Sequence, residues 1–310
     1  MITKPMDILD KHKVRKTKKE KTAFIVSLQS YLQRTGYTLN VEKGSFGSRN
    51  LVIGDPERAT YLITAHYDTP ASIGLPNFVT PCNFATFLLF QLLILVPFFL
   101  VAFMVSFLMN TLTQNTAWSF WAAYVAYFAM LFLMMFGPAN RNNANDNTSG
   151  VVTVLEIMAT LPENLRDRVC FVLFDLEEAG LIGSASYRKS HKKATNRQIV
   201  LNLDCVGDGD NIMLFPNKRL KASKVKMARL RSMEAVCGPK SIRVHESGFA
   251  YCPSDQKAFP FGVGIMAFHN AKGIGLYCDR IHTWRDTILE QTNVNILRAA
   301  IISYVGSADK

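Results

Sequence analysis

Cysteine is sparse in this 310-residue sequence, six in all, and no two stand in a Cys-x-x-Cys spacing. That excludes a zinc-finger or thioredoxin-like reading. Cys170 and Cys205 lie in or beside apolar, strand-like runs, as reduced buried thiols do in a reducing compartment. The N-terminus has no apolar h-region, so no secretory signal peptide is expected. Internal repeats, low-complexity segments and nucleic-acid-binding motifs are absent, and no nucleic-acid partner is expected. Charge is missing altogether from residues 84–109 and 117–136.

The net charge is nevertheless +11, and part of it is concentrated in Lys11-His12-Lys13-Val14-Arg15-Lys16-Thr17-Lys18-Lys19-Glu20-Lys21. Such a run suits an anionic membrane surface, or is simply a solvated helix face or frayed terminus. The uncharged stretches explain where a membrane would enter. Each can cross a hydrocarbon core of about 30 Å at about 1.5 Å per residue. Core helices of soluble proteins rarely run so long without a polar face. Trp118 and Trp121, near one end, fit an interfacial belt. A transmembrane hairpin over 84–137 is therefore expected, joined by a polar turn at 110–116. The turn has no Lys or Arg, whereas Arg58 and Arg141 flank the spans on the other side. The positive-inside rule then puts the remaining domain in the cytoplasm, with Arg141 weighing most. Two spans without an internal charge offer no polar pathway, which speaks against a transporter.

Outside the hairpin the chain alternates strands and helices. Strands are expected at 37–41, 50–54, 60–66, 169–174, 199–203, 212–215 and 263–268. Helices are expected at 22–33, 151–161, 184–193, 219–236 and 288–305. Several apolar runs end in polar groups. The run 60–66 ends at His66, with Asp68 two residues on, and alternation puts that pair on one face. A metal ligand with its orienting carboxylate and a satisfied structural histidine fit this pair equally well. The run 169–174 leads to Glu177-Glu178, whose joint charge needs a cation, a proton or open water. The run 199–203 ends at Asp204. With Asp146, in a polar loop of turn formers, and His282, these residues form the donor set that zinc and related ions prefer. A two-metal site needs about this many ligands, one carboxylate bridging, and leaves one carboxylate to take a proton from water.

The motifs His66-Tyr67-Asp68-Thr69, Asn145-Asp146-Asn147-Thr148-Ser149-Gly150, Glu177-Glu178-Ala179-Gly180-Leu181-Ile182-Gly183-Ser184, Asn202-Leu203-Asp204, and His282-Thr283 with Asp286-Thr287 follow one another in that order. In this order the sequence resembles the M28 family of metallopeptidases, the co-catalytic zinc aminopeptidases. The resemblance covers roughly residues 20–310 less the hairpin. It implies an α/β fold with a mixed, mostly parallel central sheet flanked by helices. The peptidase domain would comprise 22–83 and 138–310, after a basic segment 1–21 and around a two-helix transmembrane insertion at 84–137. His66 and Asp204 would bind one ion, Glu178 and His282 the other, and Asp146 would bridge them. Glu177 would be the general base and Asp68 would orient His66. The implied cofactors are two divalent ions, zinc foremost, and the implied partners are a peptide substrate and the lipid bilayer. Tyr251 and Ser254-Asp255 would line the specificity pocket or form a structural loop.

Three departures accompany the resemblance. The hairpin stands where soluble members have a loop, Asn147 stands where many have a second Asp, and the secretion signal of many relatives is missing. The expected activity is that of a membrane-anchored, metal-dependent aminopeptidase. A glutaminyl-cyclase-like acyl transfer, using one zinc on the same fold, and a non-catalytic membrane scaffold are the alternatives. Retention of all five ligands speaks against the first, and an intact Glu177 against the second.

Overall fold

Three uninterrupted apolar runs form the middle of a ten-stranded sheet, in a computed structural model that describes residues 2–72, 74, 75 and 77–307. In chain order the strands are β1 Leu39–Lys43, β2 Arg49–Ile53, β3 Tyr61–His66, β4 Val169–Phe174, β5 Ile199–Leu203, β6 Asn211–Pro216, β7 Ala235–Cys237, β8 Lys240–Val244, β9 Gly262–Ala271 and β10 Gly275–Tyr277. Their spatial order is β1-β2-β4-β3-β5-β9-β6-β8-β7, with β10 on β9. The central strands β4, β3, β5 and β9 are parallel. The antiparallel pairs lie towards the two margins. Every residue of β3, β4 and β5 is buried, as expected of parallel strands covered on both faces.

The helices are α1 Ile8–Lys11, α2 Lys18–Arg34, α3 Phe84–Thr113, α4 Thr116–Phe136, α5 Gly150–Thr160, α6 Ile182–Ser190, α7 Lys192–Thr195, α8 Lys218–Lys221, α9 Lys224–Arg231 and α10 Gln291–Gly306. Phe24 and Leu28 of α2, Val151 and Leu155 of α5, and Leu297 and Ile301 of α10 join one core on one face of the sheet. Tyr187 of α6 and Phe259 close the other face over Val172 and Phe174. The carboxyl ends of β3, β4 and β5 thus open side by side, where open α/β sheets hold their ligands.

Two expectations change. The helix expected at 22–33 begins at Lys18, because Thr17 accepts from Glu20 N–H and the Glu20 side chain reaches back to Thr17 N–H, a capping box. The basic run is therefore not one solvated face: Arg15 and Lys21 are buried. The helix expected at 219–236 is two short helices and a strand, because Ser223 caps a new helix after α8.

α3 and α4 pack on each other and on little else. Of their side chains only Phe98, Ala102 and Ser119 are buried. Both are long and apolar enough to cross a membrane, by length and composition. Asn83 caps the start of α3, and Asn115 caps α4 by accepting from Ala117 and Trp118 N–H. The roots of the hairpin are tied to the domain. Ala71 pairs with Ala139, and Val79 with Cys278. Two spans would place Met1 and Lys310 on the same side, but residues 1 and 308–310 lie outside the described residues.

Candidate metal centre

His66 is the last residue of β3 and is buried. Its Nδ1 lies 3.2 Å from the Asp68 carbonyl and 3.5 Å from the Asp68 carboxylate. That leaves Nε2 to face forward, 3.3 Å from Asp146 Oδ1 and 3.5 Å from Asp204 Oδ1. Asp68 is itself fixed, accepting from Glu177 N–H at 3.1 Å and Glu178 N–H at 3.3 Å. The turn that carries these glutamates is shaped by glycine. Gly180 has φ +103°. A Cβ on Gly183 would meet the Asp175 carbonyl at 2.1 Å, so only glycine lets α6 start this close to the end of β4.

Asp146 lies between the two histidines. Its Oδ2 is 3.0 Å from His282 Nε2, while His282 Nε2 is 3.6 Å from Glu178 Oε2. Ligand atoms fall into three groups, each within 4.8 Å: His66, Asp146 and Asp204; Asp146, Glu178 and His282; and His66, Glu177 and Glu178. The first two share Asp146, one oxygen to each. All six expected residues are thus brought together by the ends of β3, β4 and β5 and two loops.

The donors suit a divalent cation. Burial pushes the Glu177 carboxyl well up, against the pull of His66 and with the push of Glu178. Burial likewise pushes Glu178 up to about 8. Burial alone would lower His282, but Glu178 and Asp146 raise it to about 9. Glu178 Oε1 is buried with no protein partner. A pocket that gathers four carboxylates around two imidazoles concentrates negative charge, an arrangement suited to a metal cation.

Several supporting residues lie outside the expected set. Asp286 accepts from Asn145 N–H at 2.7 Å and Asp146 N–H at 3.0 Å. Asn147 donates to the Leu203 carbonyl at 2.9 Å and accepts from Gly150 and Cys205 N–H. A second Asp could not make the first bond, so the departure from the family pattern docks the Asp146 loop onto the end of β5. The Asp146–Asn147 peptide is cis. Arg15 donates to the Tyr67 carbonyl at 2.6 Å and to Thr148 Oγ1 at 3.1 Å, touching both metal-site loops from behind. Lys21 pairs with Asp175, just before Glu177. The Thr17-Lys18-Lys19-Glu20 capping pattern is a sequence signal that the helix expectation at 22–33 passed over; the distant partners have no such signal.

Of the expected pocket residues, Tyr251 packs its ring at a tilt against Phe87 of α3, with ring centres 4.8 Å apart. Ser254 accepts from Asn202 Nδ2 at 3.0 Å. Asp255 is buried, and burial pushes it up to about 7 against the pull of His66.

Known proteins share this fold and part of this sequence. Aminopeptidase YwaD of Bacillus subtilis (strain 168) is 30% identical over 122 residues, 34% of this chain and 27% of the relative. The match thus spans about a quarter of that relative's length. The LapA aminopeptidase of Legionella pneumophila superposes with a TM-score of 0.56 at 13% identity, over 97% of this chain and 67% of its own. LapB of the same organism gives 0.55 at 13% identity, over 97% and 71%. At these identities the structures speak for the fold. The family model named peptidase family M28 matches residues 131–304. His66 and Asp68 precede that stretch, across the hairpin. Because the match runs from the last turns of α4 into the last helix, over more than half of the sequence, its meaning is plain: the chain belongs to peptidase family M28.

Proposed function

We propose that this chain is a membrane-anchored, metal-dependent peptidase that removes N-terminal residues from peptides. The observation that carries the reading is the position of Asp146, one carboxylate oxygen facing His66 and the other facing His282. His66 and Asp204 would hold one divalent ion, Glu178 and His282 a second, and Asp146 both, with zinc the expected metal. When bound, such ions supply Lewis acidity that acidifies water and polarises the scissile carbonyl.

The chain's own groups do the rest. Asp68 keeps His66 Nδ1 engaged, so that Nε2 points into the site. Glu177 stands beside His66 and Glu178 without being needed to complete either group around Asp146. Its carboxylate would accept a proton from the attacking water and return it to the leaving amine nitrogen. Asp286 and Asn147 hold the Asp146 loop in register with the ends of β3 and β5.

The peptidase domain would be 22–83 with 138–310, and α3 and α4 would anchor it as a hairpin in the bilayer. The site then lies beside the membrane, since Pro70 and Ser72 exchange hydrogen bonds with Asn140 and Pro138 at the end of α4. A cytoplasmic domain is the orientation favoured by Arg141 and by six free thiols.

The test is metal analysis of the full-length protein alongside hydrolysis of aminoacyl-4-nitroanilides and their N-acetylated counterparts. The reading expects two ions per chain, hydrolysis only of substrates with a free amine, loss with a chelator and recovery with zinc. One ion per chain, together with cyclisation of N-terminal glutamine peptides, would favour acyl transfer instead. A protein that hydrolyses none of the panel when loaded with metal would point to a scaffold.

A further inference from the structure

The basic run at 11–21 is divided by the fold. Arg15 and Lys21 are buried and committed to Tyr67, Thr148 and Asp175. Lys16 and Lys18 line a recess of about 530 Å3, where Lys43 and Arg49 join them from the two strands of the β1–β2 hairpin. The carboxylate in its wall is Asp175, already paired with Lys21. Glu20, close by on α2, accepts from Lys16 and Thr17 N–H. Among the described residues none of the four lining cations is in an ion pair. Lys16 Nζ donates to the Met135 carbonyl at 3.1 Å, and Arg49 donates to Thr22 Oγ1 and the Lys18 carbonyl. Four cations from separate parts of the chain thus face one small volume with no carboxylate of their own.

Two further observations say what comes there. The recess lies at the foot of α4: it shares Lys16, Lys21 and Leu176 with a neighbouring cavity walled by Met135, Phe136 and Gly137. If α4 crosses a bilayer, its foot is at headgroup depth. Phe46 also lines the recess, 89% exposed and at φ +54°. Left-handed backbone is unfavourable for a residue with a Cβ, and a ring in water recovers none of that cost. At the boundary between headgroups and acyl chains an aromatic ring is favoured, and basic neighbours draw anionic lipid.

We propose that this recess binds the phosphate of an anionic phospholipid, with Phe46 seated in the adjoining bilayer boundary. The inference rests on reading α3 and α4 as membrane spans, and the two can fail separately. The full-length protein is reconstituted in nanodiscs of equal phosphatidylglycerol and phosphatidylcholine, and the lipids retained after mild detergent extraction are counted by native mass spectrometry. Wild type is expected to retain phosphatidylglycerol preferentially. The K18A/K43A/R49A variant should retain roughly a hundredfold less, each of the three charges near an anionic surface being worth about fivefold. F46S should reduce retention as well. If the triple variant does not fold, K18Q/K43Q, at two exposed positions, gives the same readout. Equal preference in wild type and a folded variant overturns the site. Displacement of the lipid by millimolar inorganic phosphate overturns the assignment to lipid in favour of free phosphate. Release of wild type from membranes by alkaline carbonate overturns the spanning reading, whatever the lipid count.

Discussion

The carboxylate of Asp286 holds the main-chain N–H of Asp146 at 3.0 Å, and it holds that of Asn145 at 2.7 Å with its other oxygen. The residue shared by both halves of the candidate metal centre is therefore positioned through its backbone by a carboxylate 140 residues away. Asp286→Asn keeps the shape but offers one acceptor where two N–H groups need one each. We expect metal affinity to fall roughly 10–100-fold, as when other orienting partners of metal ligands are changed. Chelator competition on the folded variant measures it, and unchanged affinity would mean that the loop holds itself.

Glu177→Gln separates base from ligand. Two donor groups close around Asp146 without Glu177, so metal content should stay near wild type. Hydrolysis should fall by about 10²–10⁴-fold, the usual contribution of a general base. Asp146→Ala should instead lose at least one ion. Metal analysis and rates on the same preparations decide. A metal-poor Glu177→Gln, or a metal-replete and active Asp146→Ala, would reverse the assigned roles.

Asn147→Asp tests the departure from the family pattern. The amide is fully buried, donating to the Leu203 carbonyl and accepting from two N–H groups. Aspartate loses the donation and sets a negative oxygen against a carbonyl. A cost of about 1–3 kcal/mol is expected from the unmet buried acceptor. Thermal unfolding in detergent checks it. A variant as stable as wild type would show that the loop accommodates either residue.

The same residues mark what was legible in the sequence. β3, β4 and β5 were readable because strands buried on both faces are apolar without interruption, and the ligands follow directly at their ends. β7, β8 and β10 were not: they are short marginal strands, and Ala235 and Val236 of β7 were absorbed into the helix expected at 219–236. The five candidate ligands and the candidate base were picked out by residue type and order. Asn147, Asp286 and Arg15 carry no such signal for their roles, because what each does depends on a partner 52 or more residues away that only the sheet brings near.

His191 gives a pH prediction away from the metal centre. Its Nδ1 is 2.8 Å from Glu57 and its Nε2 3.0 Å from Glu42. Only the imidazolium donates at both nitrogens. Burial alone would lower its pKa, but the bonds to Glu57 and Glu42 raise it. A raised folded pKa adds stability that is complete below the unfolded value of about 6.5 and is lost as pH rises through the folded value. The stability gap between wild type and His191→Gln should thus be widest near about pH 6 and close towards alkaline pH. A gap that widens with pH would contradict the pairing.

Topology is testable with one added thiol and one native thiol. α3 and α4 lie antiparallel, so the Asn115 turn and the domain fall on opposite sides if both helices cross. Asn115 is exposed at the turn, and Cys237 is exposed at the edge of the sheet. The turn has no Lys or Arg, while Arg141 follows α4 closely on the domain side. Positive charge near a span favours the cytoplasmic face, so the domain should be inside. In intact cells, Asn115→Cys should react with a membrane-impermeant maleimide, whereas Cys237 should react only after the cells are opened. The other cysteines are buried or half-buried, and a variant with only Cys237 retained removes their contribution. Labelling of Cys237 in sealed cells with protection at position 115 would put the domain outside. Labelling of both would mean that the helices lie along the surface without crossing.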